Sequence, residues 1–350
     1  MIVHSQGKTS TIQQQDLDRL PSDDWAQFIR QWYSNLHIEI TTSGSTGKPK
    51  NIKLTKELIE WSANNTKKVL ELQDESVFLC IPVSKVGGLM LLLRSLIFDW
   101  DVLIEKASAN PMLNLESNHR YTLVSLVPYQ LLHIMEDEAS WQKLMRFTTV
   151  LVGGASIDKI VENQIIIKSG GSKTRFFHSY GMTETASHIA IRRFGEDWYR
   201  VFDDVEVSLQ DNKCLNIKIP RLHINLNTND LVEIKEHCLQ FLGRSDDAVN
   251  SGGVKLLLHT ITDRIDATLA RELLDVDYVL WKQPHPKLGE QLIFIGVKNR
   301  LYLLIEEAIK NDIPSIECPK KFYWVDAFER TESGKIDRIA TLDKLLEVGG

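Results

Sequence analysis

The chain has 350 residues, with 41 Lys+Arg against 47 Asp+Glu and a formal net charge of -6. That length buries a sizeable core and suits two domains, and the acidic balance argues against general nucleic-acid binding. The longest apolar run, Gly87 to Phe98, is interrupted by Arg94 and is too short to span a bilayer. Met1 to Thr11 has no apolar stretch of the signal-peptide kind. Cys80, Cys214, Cys238 and Cys318 include no CxxC pair, so free thiols in a reducing cytoplasm are the default.

In chain order, Ser22-Asp23-Asp24 offers an N-cap and an acidic first turn. Trp25, Phe28, Ile29, Trp32 and Leu36 then follow at helical spacing. A short β-like run, Ile38 to Ile40, leads into Thr41-Thr42-Ser43-Gly44-Ser45-Thr46-Gly47-Lys48-Pro49-Lys50, and another run follows from Asn51 to Leu54. The loop is hydroxyls, glycines and lysines. Gly44 and Gly47 let the backbone approach a polyphosphate and turn its N–H groups inward, the hydroxyls donate, and Lys48 supplies charge. A solvated Ser/Thr/Gly turn has the same composition. It is not a Walker A loop, because only two residues separate the glycines and Pro49 follows Lys48.

Thr55 can cap a helix running to about Leu72. Strand Val77 to Ile81, Pro82 and a helix from about Val86 come next, then strand Tyr121 to Val127 and helix Tyr129 to Met135. Strand Thr148 to Val152, Gly153-Gly154 and a helix from Ile157 repeat the rhythm, and a strand spans Arg175 to His178. Continuous apolar strands alternating with helices predict a parallel sheet covered on both faces, with ligands at the carboxyl ends of its strands. Pro82–Gly88, Gly153–Ser156 and His178–Thr185 are therefore candidates for one crevice, with Gly154, Ala155 and Ser156 on its nucleotide side. Glu184, on what reads as a tight Gly turn at a strand end, suits Mg²⁺. A helix N-terminus with Glu in the first turn explains Thr183-Glu184 as well.

From Val205 the period becomes two. Val205 to Leu209, Leu215 to Ile219 and Leu231 to Ile234 read as a half-exposed antiparallel meander, with Asp211-Asn212-Lys213 as a hairpin turn. Beyond the polar stretch Gly243-Arg244-Ser245-Asp246-Asp247, helices (about Thr260 to Leu274, Leu301 to Lys310) mix with strands (Tyr278 to Trp281, Gln291 to Val297). The expected architecture is a large α/β N-terminal domain, residues 1–243. It holds mostly parallel strands flanked by helices, plus the meander. A small α+β C-terminal domain, residues 244–350, follows.

Four motifs occur in an order that resembles the adenylate-forming superfamily of acyl-CoA synthetases, luciferases and peptide-synthetase adenylation domains. They are Thr42–Lys50, Tyr180-Gly181-Met182-Thr183-Glu184-Thr185, Gly243–Asp247 with Ser251-Gly252-Gly253, and Ser333-Gly334-Lys335-Ile336-Asp337-Arg338. The resemblance implies an ATP-dependent, AMP-forming acid–thiol ligase using Mg²⁺ and CoA, with a mobile C-terminal lid. It implies that Thr42, Ser43, Gly44, Ser45, Thr46, Gly47 and Lys48 hold phosphates, and that Tyr180 stacks on adenine beside Gly181 and Met182. It implies Thr183 near the phosphates, Glu184 on Mg²⁺, Asp230 on the ribose, Arg244 on the ribose or a phosphate, and Asp246 as the hinge. It implies Ser251, Gly252 and Gly253 along the pantetheine arm of CoA. Lys335 matches the mobile lysine that bridges the substrate carboxylate and the α-phosphate, where added cationic charge stabilises the transition state. The chain departs from the family in two places. Thr228-Asn229-Asp230 stands where Thr-Gly-Asp is usual, although Asn at positive φ lets a turn survive. Lys85 stands where many members have His in Pro82–Gly88.

On the acyl side, Thr185-Ala186-Ser187-His188 resembles the o-succinylbenzoate–CoA ligase group, and the short segment of residues 1–40 fits that compact build. Ser187 and His188 would then face a keto or carboxylate oxygen, and Ser84 and Lys85 a second carboxylate. A solvated loop lysine explains Lys85 equally. His178 and Arg193 are secondary contacts in this reading. The implied partners are a small carboxylic acid, ATP and CoA, in the cytoplasm, in menaquinone synthesis; there is room for a homo-oligomer. Two alternatives stay open: another aryl-, acyl- or amino-acid-activating enzyme of this fold, and a non-catalytic nucleotide-binding homologue.

Overall fold

A computed structural model of the chain describes residues 1–5, 7–13, 17–18, 20–42, 50–118, 120–330 and 336–348. Loop residues 43–49 and Lys335, both singled out by the sequence, lie outside these described residues. The chain divides into two compact units. The first comprises Met1–Glu206, Lys218–Asn225 and Ile234–Gln240; the second comprises Val207–Ile217, Leu226–Glu233 and Phe241–Gly350.

The first unit opens with a hairpin, β1 (Ile2–Ser5) and β2 (Lys8–Thr11). Helix α1 (Asp24–Ser34) buries Trp25, Ala26 and Ile29. It stops two residues short of Leu36, which is 86% exposed and not part of the apolar face its spacing predicted. Strands β3 (His37–Thr42) and β4 (Lys50–Thr55) form a two-stranded antiparallel hairpin of their own. Thr55 caps α2 (Lys56–Val69) as expected, its Oγ1 accepting from Leu58 N at 3.2 Å.

Then come β5 (Ser76–Leu79), α3 (Val86–Ile97), β6 (Asp101–Ile104), β7 (Leu123–Leu126), α4 (Pro128–Glu136), α5 (Glu138–Leu144) and β8 (Thr149–Val152). They are followed by α6 (Lys159–Lys168), β9 (Arg175–Met182), β10 (Ser187–Arg193) and β11 (Tyr199–Val201). The strands lie in the order β2-β1-β6-β5-β7-β8-β9-β10-β11. From β1 to β9 each pairs in parallel with its neighbour; β2, β10 and β11 are antiparallel. The central strands β7 and β8 are buried at every residue, which is why they read as largely apolar runs without polar alternation. Trp141, Phe147, Phe78 and Phe176 fill the core beside them.

Strands β12 (Glu206–Leu209), β13 (Cys214–Ile219), β14 (Ile224–Lys235) and β15 (Cys238–Arg244) form the meander in that order, and Lys213, at φ 63, closes its first turn. The rest of the second unit is a separate sheet, β17-β16-β19-β18 with β20 parallel to β19. Its strands are β16 (Ala248–Ser251), β17 (Val254–Leu257), β18 (Tyr278–His285), β19 (Gly289–Val297) and β20 (Lys321–Val325). Helices α7 (Leu258–Arg271) and α8 (Tyr302–Asp312) supply Ile261, Ile265, Ile305 and Ile309 to its core, and α9 (Arg338–Val348) supplies Leu342 to a smaller cluster. Cys80 and Cys214 are buried, Cys238 and Cys318 half-buried, and all four thiols are free. Among the described residues no helix is long and apolar enough to cross a membrane.

Candidate active site

Strand β3 ends at Thr42 and strand β4 begins at Lys50, on either side of residues 43–49 in the chain. Thr42 pairs with Lys50, and Thr41 Oγ1 donates to Asn51 Oδ1 at 2.7 Å. Strand β4 packs against the turn Thr183–Thr185, so this hairpin and Glu184 are neighbours.

Strand β9 departs from the sequence expectation. It continues to Met182, then reverses through a 3₁₀ turn, Thr183–Thr185, into β10. What read as a Gly turn is the last part of a strand. Gly181 is needed for another reason: a Cβ there would stand 2.2 Å from Ser187 O and 2.4 Å from His188 Cα. The pairing of β9 with β10 shifts register at that point, between His188 and Ala190, and only a residue without a side chain lets the two backbones meet so closely. Ala186 (φ 51) and Ser187 (φ 124) are both held at positive φ, a strain that persists only where the surroundings over-determine it. Thr185 does part of this, its Oγ1 lying 2.6 Å from Ser187 O and accepting from Met182 N at 3.3 Å.

Glu184 is exposed on this turn, with no hydrogen-bond or ion partner among the described residues. A single hard carboxylate fits Mg²⁺, which keeps several waters and takes its other ligands from phosphates. No group of three His, Cys, Asp or Glu that could hold a metal unaided occurs among the described residues.

The exposed segment Gly154-Ala155-Ser156 follows β8, with Gly154 at φ 86. His178 lies inside β9, buried, between Val152 on β8 and Arg192 on β10. Its Nε2 is 3.0 Å from Ala155 O and its Nδ1 is 2.7 Å from Tyr199 Oη. Burial, with the Arg192 charge second, pushes its pKa down to about 4, so it is neutral. The Tyr180 ring stands 6.0 Å from that of Tyr199. Arg193, the other secondary contact expected from sequence, is exposed and lies 6.0 Å over the Phe177 ring.

The acyl-side candidates separate. Ser187 Oγ accepts from Arg94 Nη2 at 2.7 Å and lies 3.2 Å from Ser62 Oγ. His188 is buried, its Nε2 2.9 Å from Thr66 Oγ1. Thr66 donates its own proton to Ser62 O, so His188 is the donor to Thr66. Burial, then the Arg94 charge, holds the His188 imidazole neutral. Ser84 and Lys85 are exposed at the start of α3, about 13 Å along the helix axis from Arg94.

Arg94 is the residue the sequence reading missed. It is 3% exposed, Nε has no hydrogen-bond partner, and among the described residues no carboxylate is in ion-pair range. Burial brings its pKa down to about 9, which leaves it a cation at neutral pH. The signal was present: a guanidinium within the buried run Gly88–Ser95 must either pair or be held for an anion.

In the second unit, Thr228-Asn229-Asp230 is not a turn. It lies within β14, and Asn229 is not at positive φ, so the position makes no demand for Gly. Asp230 is buried and accepts from Arg244 Nη1 at 2.9 Å. Arg244 also grips Asp246 through Nε (2.8 Å) and Nη2 (2.7 Å), while Asn229 Nδ2 reaches Asp246 at 3.2 Å. Although burial opposes it, these donors hold the Asp246 carboxyl below its usual range. Gly252 (φ 59) and Gly253 (φ 84) form the tight turn of the β16–β17 hairpin. Arg330 and Ile336 form a bridge that brackets the segment containing Lys335.

Comparison with known proteins identifies the family. Residues 17–213 match the family described as AMP-binding enzyme. A 2-succinylbenzoate–CoA ligase of Listeria innocua is 27% identical over 326 residues, covering 85% of this chain and 68% of that protein. The crystal structure of an acyl-CoA synthetase (AMP-forming)/AMP-acid ligase II-like protein from Dyadobacter fermentans is 31% identical, with a TM-score of 0.60. It covers 94% of this chain and 97% of that one. O-succinylbenzoate coenzyme A synthetase from Bacillus subtilis, in complex with ATP and magnesium ion, shares the fold at a TM-score of 0.69 and 20% identity, covering 87% of this chain and 69% of that one.

Proposed function

Because this chain belongs to the AMP-binding enzyme family, we propose that it is an AMP-forming acid–CoA ligase acting on 2-succinylbenzoate. The observation that carries the choice of acid is Arg94, a buried cation with Ser62 and Ser187 as its neighbours and no counter-ion among the described residues. A dicarboxylic acid supplies one: one carboxylate answers Arg94, and the other reacts. Holding a buried charge without a partner is unfavourable in the free protein and is recovered only when an anion binds. The name of the Listeria innocua relative agrees with this reading.

In the first half-reaction a carboxylate oxygen attacks the α-phosphorus of ATP, forming the acyl-adenylate and releasing pyrophosphate. The hydroxyl-rich loop and Thr183 bind the phosphates, and Tyr180, Gly181, Met182 and the Gly154–Ser156 segment border the base. Asp230 and Arg244 address the ribose, and Lys335 bridges the carboxylate and the α-phosphate. Mg²⁺ on Glu184 would neutralise phosphate charge. In the second half-reaction the CoA thiolate attacks the acyl carbonyl and AMP leaves, with the pantetheine arm along Ser251-Gly252-Gly253. Residues 1–243 and 244–350 act as body and lid, hinged at Asp246. On this reading the chain works in the cytoplasm, in menaquinone synthesis.

The test is pyrophosphate release with ATP and Mg²⁺, with and without CoA, across 2-succinylbenzoate, benzoate, a medium-chain fatty acid and D-alanine. Selective turnover of 2-succinylbenzoate supports the reading. Turnover of another acid keeps the reaction and removes the substrate; no turnover of any acid removes the enzyme.

A further inference from the structure

We propose that His178 is a positioning residue for the nucleotide, holding the Gly154–Ser156 segment in place through the Ala155 carbonyl. The proposal rests on the reading of that segment as a nucleotide contact. The segment itself is exposed, as a ligand-binding loop must be, and needs support from below. It has support at two points. His178 Nε2 lies 3.0 Å from Ala155 O. Asp158, at the far end, caps α6, accepting from Ile160 N at 2.6 Å.

What makes His178 a dependable donor is the chain of groups behind it. Carbonyl oxygens only accept, so the contact with Ala155 O requires the proton on Nε2. Tyr199 Oη, 2.7 Å from Nδ1, supplies the matching donor on the other side and favours that tautomer. The Arg192 guanidinium stands 5.2 Å from the Tyr199 ring. Arg192 is in turn fixed by a two-point pair with Glu162, both contacts at 2.6 Å. Glu162 also accepts from Gly195 N at 2.6 Å. Glu162 belongs to α6, the helix that begins where the loop ends. The relay therefore starts and finishes on the two sides of one segment: Ala155, His178, Tyr199, Arg192, Glu162. The cross-strand pairing of His178 with Arg192 brings its two halves together.

The arrangement makes the two conservative replacements unequal. Gln places an N–H near the position of Nε2 and can still reach Ala155 O. Asn places its oxygen near Nδ1, facing Tyr199, and is too short for Ala155. The experiment measures AMP and ATP binding by calorimetry, and KM for ATP and for the acid separately from kcat, in the full chain. His178→Asn and His178→Ala should weaken nucleotide binding about tenfold, the scale of one lost buried hydrogen bond. KM for the acid and kcat should stay within about twofold, and His178→Gln should recover most of the loss. Tyr199→Phe, which keeps the ring and removes only the donor to Nδ1, should give a loss of about threefold. Equal behaviour of the Gln and Asn variants would overturn the proposal, as would parallel rises in both KM values. Nucleotide binding unchanged in all four variants would remove the relay and leave the nucleotide site standing. No ATP or AMP binding by the wild-type chain would remove the nucleotide site itself, and the relay with it.

Discussion

Arg94 Nη2 donates to Ser187 Oγ at 2.7 Å, joining a helix of the sheet's cover to a serine held at φ 124. The contact is neutral on one side and charged on the other, in an interior where charge is expensive. Replacing Arg94 with Met should therefore raise the stability of the free protein, by about 1–3 kcal/mol. The same variant should raise KM for 2-succinylbenzoate by about a hundredfold, and leave KM for ATP nearly unchanged. Thermal melts and the two KM values decide this. Loss of stability with an unchanged acid KM would show that the cation is structural.

Gly181 is expected to tolerate no side chain. Its Cβ would meet backbone at Ser187 and His188, not the movable end of a side chain. Gly181→Ala should destabilise the first unit by about 2–3 kcal/mol, read as a lowered midpoint in urea. A variant that melts like wild type would show that β9 and β10 part without cost there.

Acid should destabilise the protein through His178. Its pKa falls from 6.5 to about 4 on folding, because burial and the facing Arg192 outweigh Glu162 and the hydrogen bond to Ala155. The unfolded chain thus binds the proton more readily. The stability tied to the neutral ring is present above pH 6.5 and is lost as pH falls towards 4, a change of about 3 kcal/mol. His188 shifts in the same direction. Urea midpoints between pH 8 and 4 should fall, and His178→Gln should flatten the slope. An unchanged slope in that variant would assign the acid sensitivity elsewhere.

If Lys335 stabilises the charge that develops in the transition state, as proposed, Lys335→Ala should slow adenylate formation by a factor on the order of 10²–10³, with modest change in nucleotide affinity. Single-turnover pyrophosphate release checks this, and a loss below tenfold would remove Lys335 from the chemistry.

Asp246→Pro should impair thioester formation more than adenylate formation. The carboxylate is held by Arg244 and Asn229, and a hinge there must remake those contacts in each half-reaction. Equal losses in both half-reactions would place the hinge elsewhere.

Much of the architecture was legible in the amino-acid order. Strands such as β7 and β8 are apolar at three of four positions, without polar alternation, and so declare a covered parallel sheet, and Thr55 marks the start of α2 by its own side chain. These are local properties, carried by neighbouring residues. Chain order also carried the four motifs and hence the family, because each motif is contiguous. The polar part of a strand was not legible. Thr228-Asn229-Asp230 has turn composition, yet it runs inside β14, where the ladder of neighbouring strands overrides propensity. Nor did the sequence show why Gly181 is glycine, since the atoms that exclude a Cβ belong to Ser187 and His188 across a register shift. The same holds for Arg94: along the chain it interrupts an apolar helix, and only packing against Ser62 and Ser187 makes it a buried cation. His178 looked like a pocket residue and became a core donor, because its partners, Ala155, Tyr199 and Arg192, come from three different segments. Propensity and motif are one-dimensional and survive in sequence. Desolvation, register and hydrogen-bond partnership depend on which distant segments meet, and those were decided in three dimensions.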